Sequence, residues 1–385
     1  MRKKLLRSFS GCLKKGVGEE EKRIKIRLML IMGYLGAVIG AGFASGQEIV
    51  QFFVNYGSFG LKGSILAAVL FAVCGGLLLY TAHSRQVANY QSILAYLLGN
   101  QAGQYIDFLL AIFLFLGIST MLSASGAVFY EHLYLPKSLG IFLAYISVVI
   151  MLLTGKKGLI LSYNILVPLK LSLLLGITIY VAFFMADIQV PSYALQLCPT
   201  EQRYWPISSL LYVAYNFSLA MVVLSEYQSL SSMRSGIAGA IWGGAVLGSL
   251  VILTFLTLRK FLPEVMHYEV PMLYVAGQIS LTAKHIYTIV LWLGILTTAI
   301  ANAYGFAQRF ASFTGISYGP CLLLCMTLAL PVSMQSFSGL VSKVYPLFGI
   351  LGIIIMAALF WKSGQDIAKH LYYNIKQLVN RFREV

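Results

Sequence analysis

The sequence "GAVIGAGFASGQEIVQFF", residues 36–53, lies inside the first long apolar segment of the chain. It holds four glycines and the carboxylate of Glu48, at positions where a membrane-spanning helix usually carries large apolar residues. Glycine is a weak helix former, and a charge at membrane depth costs roughly 3 kcal/mol. The stretch therefore predicts a membrane helix that is interrupted for a functional reason.

The composition of the whole chain is that of an integral membrane protein. Its 385 residues are 59% hydrophobic and only 11% charged, with a mean hydropathy of +0.80, whereas about a quarter of an ordinary soluble domain is charged. A bilayer core about 30 Å thick needs about 20 apolar residues per helix. Ten spans are predicted on this basis: residues 28–55, 61–82, 104–130, 138–154, 159–186, 205–227, 236–258, 283–311, 318–334 and 339–360. Their unbroken length excludes an outer-membrane barrel, whose segments alternate over about ten residues, so we expect an all-α protein.

The basic residues set the expected orientation and the domain limits. Residues 1–27 hold ten Lys and Arg residues, and the segment from Trp361 onward holds five. Because these residues are enriched in cytoplasmic loops, both termini are expected in the cytoplasm. The chain then divides into a basic cytoplasmic tail (1–25), a membrane domain (26–360) and a C-terminal cytoplasmic tail (361–385).

The net charge of +15 indicates which partners to expect. Basic tails beside a membrane attract anionic lipid. Nucleic-acid binding is not expected, because the basic residues are not gathered on a folded domain with stacking aromatics. An enzyme is not expected either, because the sequence shows no His-rich metal cluster, no Ser, His and Asp set at membrane depth, and no nucleotide-binding loop.

Two carboxylates, Glu48 and Glu226, fall in or near spans that contain an unusual polar or glycine-rich stretch. The first span has "GAGFASG" (40–46), and the sixth has "YNFSLA" (215–220). Unwound backbone at membrane depth is tolerated only where it lines a cavity or is buried in protein, and broken helices at corresponding positions of two halves indicate a substrate site. The alternative for the first span is close helix packing through the pair Gly36 and Gly40.

Lys170, in "NILVPLKLSLLLGI" (164–177), is the most unusual cation of the chain. It lies too deep in the fifth span to anchor a helix end at the interface. A lysine that is removed from water can bind and release a proton under mild conditions, which suits a proton carrier. The alternative is a permanently paired lysine that fixes two helices, with Glu48 or Glu226 as its partner.

The eighth span contains "GILTTAIANAYG" (294–305), in which Gly294, Thr297 and Thr298 share one face of the helix. Two hydroxyls and a carbonyl at one point are oxygen ligands of the kind that a hard cation prefers. The alternative is that the hydroxyls bond to carbonyls of their own helix.

At these places the chain resembles the amino acid–polyamine–organocation superfamily of secondary transporters, which have the LeuT-type fold. Within it, the "GAGFASGQEI" stretch (40–49) looks most like the YkvI-type bacterial membrane proteins. The resemblance implies about ten membrane helices in a five-plus-five inverted repeat, with residues 26–186 as the first repeat and 205–360 as the second. It implies that the first and sixth helices are broken and rock against the third, fourth, eighth and ninth.

The resemblance also implies roles for particular residues. Gly36, Gly40 and Gly42 repeat the glycine spacing of the first span in sodium-coupled relatives. The implied substrate-binding residues are Gly40, Ala41, Gly42, Ser45, Tyr215, Asn216 and Ser218, and the implied coupling residues are Lys170, Glu48 and Glu226. The candidate sodium site is Gly36, Ile39, Gly294, Thr297 and Thr298. In proton-coupled relatives a lysine six residues after an Asn fills that sodium position, and Asn164 and Lys170 stand at this spacing.

The function implied by the resemblance is secondary transport of a small amino acid or related amine by alternating access in the bacterial cytoplasmic membrane. Proton coupling through Lys170 is favoured, and sodium coupling at Thr297 and Thr298 is the alternative; no other cofactor is expected. A channel or a non-transporting sensor on the same fold is the alternative from another class. Glu48 departs from the common carrier pattern, so it repels an anionic substrate, favours a cationic one or carries the proton. The sequence names neither the substrate nor the oligomeric state.

Overall fold

The computed structural model describes residues 23–87, 89–153, 156–185 and 200–383. Side chains are described throughout these ranges except at residues 156–167 and at most positions after Lys369. Most of the predicted basic tail (1–25), the segment 186–199 and the side chain of Asn164 lie outside the described residues. The assignment of the two tails and the two repeats stays a prediction.

The described residues form helices in the following order. The α-helices are α1 (residues 23–38), α2 (Ala41–Ser45), α3 (Gln47–Phe52), α4 (Gly60–Arg85), α5 (Tyr90–Leu98), α6 (Asn100–His132), α7 (Lys137–Leu153), α8 (Lys156–Phe183), α9 (Trp205–Glu226), α10 (Met233–Arg259), α11 (Pro271–Ile279), α12 (Leu281–Thr314), α13 (Tyr318–Ser333) and α14 (Phe337–Arg383). Short 3₁₀-helices occupy Val54–Phe59, Gln202–Tyr204 and Glu264–His267.

Six helical segments in the described part of the chain are long and apolar enough to cross a membrane, and they make the protein a multi-pass membrane protein. They are Val54–Arg85, Asn100–His132, Gln202–Glu226, Met233–Arg259, Leu281–Thr314 and Phe337–Lys369. Three shorter apolar helical segments, Lys137–Leu153, Pro168–Phe183 and Tyr318–Ser333, fall in the predicted fourth, fifth and ninth spans. The predicted first span is divided among α1, α2 and α3. The total of ten spans and the inverted repeat stay predictions.

The predicted interruption of the first span is confirmed. Helix α1 ends at residue 38, Ile39 and Gly40 are not helical, and Gly40 has an extended backbone (φ −82°, ψ −173°). A second interruption follows at Gly46, which has a left-handed backbone (φ +83°) between α2 and α3. Only glycine adopts that conformation without steric cost, so the glycine-rich sequence accounts for the break.

The predicted interruption of the sixth span is wrong, because α9 runs without a break from Trp205 to Glu226. The physical reason is that the polar side chains of α9 donate hydrogen bonds to carbonyls of the same helix. The Asn216 side-chain amide donates to Tyr212 O at 3.1 Å, and the Ser218 hydroxyl donates to Ala214 O at 2.8 Å. Bonds of this type to the preceding turn satisfy polar side chains inside a helix. The sequence of α9 also contains no glycine.

The helices pack in two groups, with the broken first span between them. One group joins α4 to α10, α9 and α14, and the other joins α6, α7, α12 and α13. Helix α2 contacts α6 and α12 of the second group, and α3 contacts α9, α10 and α14 of the first. In the first group, Gly244 and Gly248 of α10 lie so close to the backbone of Ala72 and Ala68 of α4 that an added Cβ would overlap it. Small residues of this kind let membrane helices approach closely.

Three helical features were not predicted. Short helices α5 and α11 each precede one of the long helices α6 and α12. Helix α14 continues past the predicted boundary at residue 360 to Arg383, so its 47 residues are about 70 Å long. Its extension is held to the rest of the protein by Asp366, whose carboxylate accepts hydrogen bonds from Arg85 (2.5 and 3.2 Å) and Tyr96 (2.8 Å).

Candidate functional site

A cavity of about 1020 Å³ lies beside the break in the first span. Its lining comes mainly from α1, α2, α6, α9 and α12. The cavity extends from the buried carboxylate of Glu48 to Met29, Glu226 and Gln308, which are exposed. Met29 lies near the start of α1, while Glu226 and Gln308 lie at or near the ends of α9 and α12. The cavity therefore opens toward the face of the protein on which α1 begins.

The structure brings most of the predicted site residues to this cavity. Those that line it are Gly36, Ile39, Gly40, Ala41, Gly42, Glu48, Lys170, Tyr215, Asn216, Ser218, Glu226, Thr297 and Thr298. Ser45 and Gly294 are not part of the lining.

Ser45, which was predicted to bind substrate, lies outside the cavity lining and bonds to the backbone of the interrupted span. Its hydroxyl donates to Gly42 O at 2.7 Å and accepts from the Gln47 amide at 3.2 Å. The hydroxyl of Tyr287, a residue that the sequence did not single out, donates to Ala44 O at 2.6 Å. Because a break releases backbone groups from their helical partners and buried groups must be satisfied, these side chains stabilise the interrupted backbone.

Lys170 lies at the first break. Its side chain is buried (5% exposed), and its ammonium donates to Ile39 O, one of the carbonyls released by the break, at 2.6 Å. A Cβ at Gly294 would lie 3.2 Å from Lys170 Cδ, so the lysine packs against this part of α12. The ammonium thus contacts a carbonyl that the resemblance assigned to a sodium site. Among the described residues no salt bridge joins Lys170 to Glu48 or Glu226, so the predicted alternative of a permanent ion pair is not seen.

Thr297 and Thr298 both donate their hydroxyls to Gly294 O, each at 2.9 Å. This is the internal bonding that was the alternative to a cation site. Since a hydroxyl oxygen keeps its lone pairs when it donates, both oxygens remain acceptors at the cavity wall. Thr298 also reaches the break, since its Cγ2 would lie 3.8 Å from a Cβ at Gly40.

Glu48 lies at the inner end of the cavity and is 4% exposed. The Tyr215 hydroxyl donates a hydrogen bond to Glu48 Oε2. The other carboxylate oxygen, Oε1, lies against Gly42, and a Cβ at Gly42 would overlap it. The Glu48 carboxylate therefore fills the space beside Gly42, one of the residues that the resemblance implies in substrate binding.

The comparisons with known proteins identify the family. No family model matches the chain. The membrane protein YkvI of Bacillus subtilis (strain 168) is 31% identical over 333 residues, which cover 86% of this chain and 94% of YkvI. The chain belongs to the YkvI family. A second protein of the same organism, YyaD, is 25% identical over 338 residues, which cover 88% of this chain and 96% of YyaD.

Two solved structures show which fold this YkvI-family protein has. MhsT in complex with L-phenylalanine superposes with a TM-score of 0.62 at 18% identity and covers 87% of this chain and 88% of its own. A variant of the manganese transporter of Eremococcus coleocola superposes with a TM-score of 0.53 at 13% identity and covers 86% and 77%. The fold is therefore that of LeuT-type transporters.

In this YkvI-family protein, the wall of the cavity beside Glu48 includes two aromatic residues that were not predicted from the sequence. Phe113 of α6 and Tyr345 of α14 line the cavity beside Tyr215. The ring centroids of Tyr215 and Tyr345 are 4.9 Å apart, and Phe113 lies 6.1 Å from Tyr345 and 6.4 Å from Tyr215. An aromatic residue in an apolar span has no pattern that separates cavity lining from ordinary packing, so the sequence contained no signal for Phe113.

The mouth of the cavity also differs from expectation. Glu226, which was expected at membrane depth, is the last residue of α9 and is exposed, because the uninterrupted helix carries it out to the protein surface. Arg309, which the sequence did not single out, lines the mouth and forms an ion pair with Asp107 at 3.3 Å. The Tyr90 hydroxyl donates to the same Asp107 oxygen at 2.7 Å. The ion pair joins α12 to α6, and the Tyr90 hydrogen bond joins the short helix α5 to α6.

Proposed function

We propose that this YkvI-family protein is a secondary transporter of a small amino acid or related amine, working by alternating access in the bacterial cytoplasmic membrane. The observation that carries the proposal is a cavity that reaches from one face of a LeuT-type fold to a broken helix at its inner end. Irregular backbone at membrane depth beside a cavity is characteristic of transporter binding sites.

The far side of the cavity is closed, as a carrier open to one side requires. Tyr212 packs against Phe52 and Phe53 with ring-centroid distances of 5.4 and 4.9 Å, and the Ser208 hydroxyl donates to Phe52 O at 2.8 Å. If the basic termini face the cytoplasm, the opening beside the start of α1 faces the cytoplasm too. The proposed motion is a rocking of α1–α3 and α9 against the group of α6, α7, α12 and α13, which exposes the cavity to the other side.

An organic solute fits the cavity better than a metal ion. The two structural neighbours include a complex with L-phenylalanine and a manganese transporter. In the part of the chain that the structure describes, no group of three or more His, Cys, Asp and Glu side chains is placed to hold a metal ion. Phe113, Tyr215 and Tyr345 instead offer apolar rings of the kind that line organic ligand sites.

Proton coupling through Lys170 is the proposed driving mechanism. Its ammonium lies 2.6 Å from Ile39 O, and a sodium ion on the same carbonyl would face a like charge at close range. Loss of the proton would weaken the bond between α8 and the broken first span, which frees the span to move. Sodium coupling at Thr297 and Thr298 is the alternative and requires Lys170 to leave the carbonyl.

Proteoliposomes that contain the purified protein test this function. We expect accumulation of at least one radiolabelled amino acid or amine when a pH gradient is imposed, and no additional accumulation with a sodium gradient. Absence of accumulation above that of empty liposomes for every amino acid and amine, with either gradient, would contradict the proposal.

A further inference from the structure

The inner end of the cavity combines one carboxylate with three aromatic rings. Glu48 accepts a hydrogen bond from Tyr215, and the hydroxyl of Tyr345 would lie 3.2 Å from a Cβ at Gly42, the residue that Glu48 contacts. The rings of Phe113, Tyr215 and Tyr345 lie within 4.9–6.4 Å of one another, and all three line the same cavity. Phe348 supports Phe113 from behind, with ring centroids 4.4 Å apart. We call Glu48, Phe113, Tyr215 and Tyr345 the aromatic cage.

The Glu48 carboxylate has no cationic partner among the described residues. The buried cation of the cavity, Lys170, donates to Ile39 O instead. One hydroxyl from Tyr215 satisfies only part of the acceptor capacity of a carboxylate. Buried charges in proteins are usually paired, so a cation that entered the cage would pair with the Glu48 carboxylate.

The cage has the chemistry that recognises an organic ammonium group. A cation is attracted to the faces of Tyr and Phe rings, and an ionised carboxylate forms its strongest hydrogen bonds with a charged donor. A zwitterionic amino acid is poorly suited to the same place, because its carboxylate at Gly42 would meet Glu48 Oε1, which already lies there. Like charges in close contact repel, and the repulsion is stronger beside a buried group such as Glu48 than in bulk water.

We propose that the aromatic cage binds the ammonium group of an organic amine that lacks a carboxylate, and that Glu48 determines this specificity. The proposal rests on the proposed function, since it names the substrate class of the same cavity. Of the two substrate classes in the proposed function, amino acids and amines, the cage favours amines.

Matched pairs of compounds that differ only by a carboxylate test the proposal. The pairs are 2-phenylethylamine with L-phenylalanine, isoamylamine with L-leucine, and putrescine with L-ornithine, and binding to the full-length protein in detergent is measured by displacement and thermal shift. We expect the amine of at least one pair to bind at least about tenfold more tightly than its amino acid, because it adds ionic and cation–π contacts without the repulsion.

Variants assign the effect to the cage. Glu48→Gln is expected to weaken amine binding at least about tenfold and to reduce the discrimination within the pair. Tyr345→Leu, which removes a ring but no charge, is expected to weaken amine binding several-fold, so the proposal stays testable if Glu48→Gln does not fold. Glu201→Gln is the matched control, because it removes an exposed carboxylate outside the cavity and is expected to change nothing.

The outcomes separate this inference from the proposed function. Tighter binding of the amino acid in every pair, equal binding within the pairs, or no binding of any of these compounds overturns the cage proposal. Unchanged amine binding in both Glu48→Gln and Tyr345→Leu does the same. Accumulation of amino acids without amine binding would support the transporter proposal and contradict the cage proposal. Glu48-dependent amine binding without any transport would support the cage proposal and contradict the transporter proposal.

Discussion

In the mechanism proposed above, the ammonium of Lys170 joins α8 to the broken first span at the Ile39 carbonyl. Lys170→Ala removes the group that binds the coupling proton but leaves the cavity wall otherwise intact. We expect the variant to lose accumulation driven by a pH gradient while it keeps binding and exchange of solute. Proteoliposome uptake and exchange measure both properties.

Lys62→Ala is the control for this prediction, because Lys62 is exposed on α4 and packs over the Phe59 ring. It is expected to accumulate solute like the parent protein. Undiminished pH-driven accumulation in Lys170→Ala would show that Lys170 does not carry the coupling proton.

Gly42 gives a second prediction at the residue scale. A side chain there would overlap Glu48 and approach Tyr345, so Gly42→Leu is expected to displace the carboxylate and fill the inner end of the cavity. Ligand affinity should fall by about 5-fold to 150-fold, since overpacking of a filled site costs about 1–3 kcal/mol. Binding of a cavity ligand, measured by displacement, checks it.

Gly176→Leu is the matched control, because Gly176 is an exposed glycine within α8 that has open space where a Cβ would lie. Its ligand affinity should remain that of the parent protein. A Gly42→Leu variant that folds and binds with native affinity would show that the pocket is elsewhere.

At the scale of elements, the interrupted first span depends on the left-handed backbone of Gly46. Any other residue at this position would have a strained backbone with φ of +83°, and its Cβ would lie 2.8 Å from Met272 Cγ. Gly46→Ala is therefore expected to destabilise the protein by about 1–3 kcal/mol. Gly315 ends α12 with a similar backbone (φ +74°) but has no neighbour within 4 Å. Gly315→Ala should consequently lower the melting temperature less than Gly46→Ala, and an equal effect would show that the packing at the break is loose.

Tyr287 provides a second test of the same element. Its hydroxyl is the donor to Ala44 O at the end of α2. Tyr287→Phe leaves this buried carbonyl without that donor, which costs about 1–3 kcal/mol. We expect a lower melting temperature and faster hydrogen exchange at the Gly46 and Gln47 amides, and exchange rates equal to those of the parent protein would contradict this role.

The interruptions predicted for the first and sixth spans show which features of a helix can be predicted from its sequence. The first was predictable because a glycine-rich stretch disfavours a continuous helix and because Gly46 has a left-handed backbone that other residues avoid. The second prediction failed because Asn216 and Ser218 are polar enough to suggest a break but short enough to bond to their own helix. Whether a polar residue uses its own helix or a ligand depends on the direction of its side chain, which the sequence does not record.

At the scale of the whole molecule, the apolar runs predicted a multi-pass helical membrane protein because the thickness of a bilayer imposes their length. Helices α5 and α11 were not predictable in this way, since each has nine residues and need not span. Phe113, Tyr287 and Tyr345 came to the site through packing between helices distant in sequence. Tertiary contacts of that kind leave no local pattern, so the chemistry of the cage became visible only in the structure.

In the proposed mechanism, one cavity at a broken helix carries a small solute across the membrane by alternating access. Solute exchange in proteoliposomes tests it most directly: vesicles are loaded with an unlabelled ligand of the cavity, and entry of the same ligand in labelled form is measured without any gradient. We expect saturable entry that is stimulated by the internal ligand and abolished in Gly42→Leu. Binding without stimulated exchange, or entry that does not saturate, would contradict it and indicate a sensor or a channel.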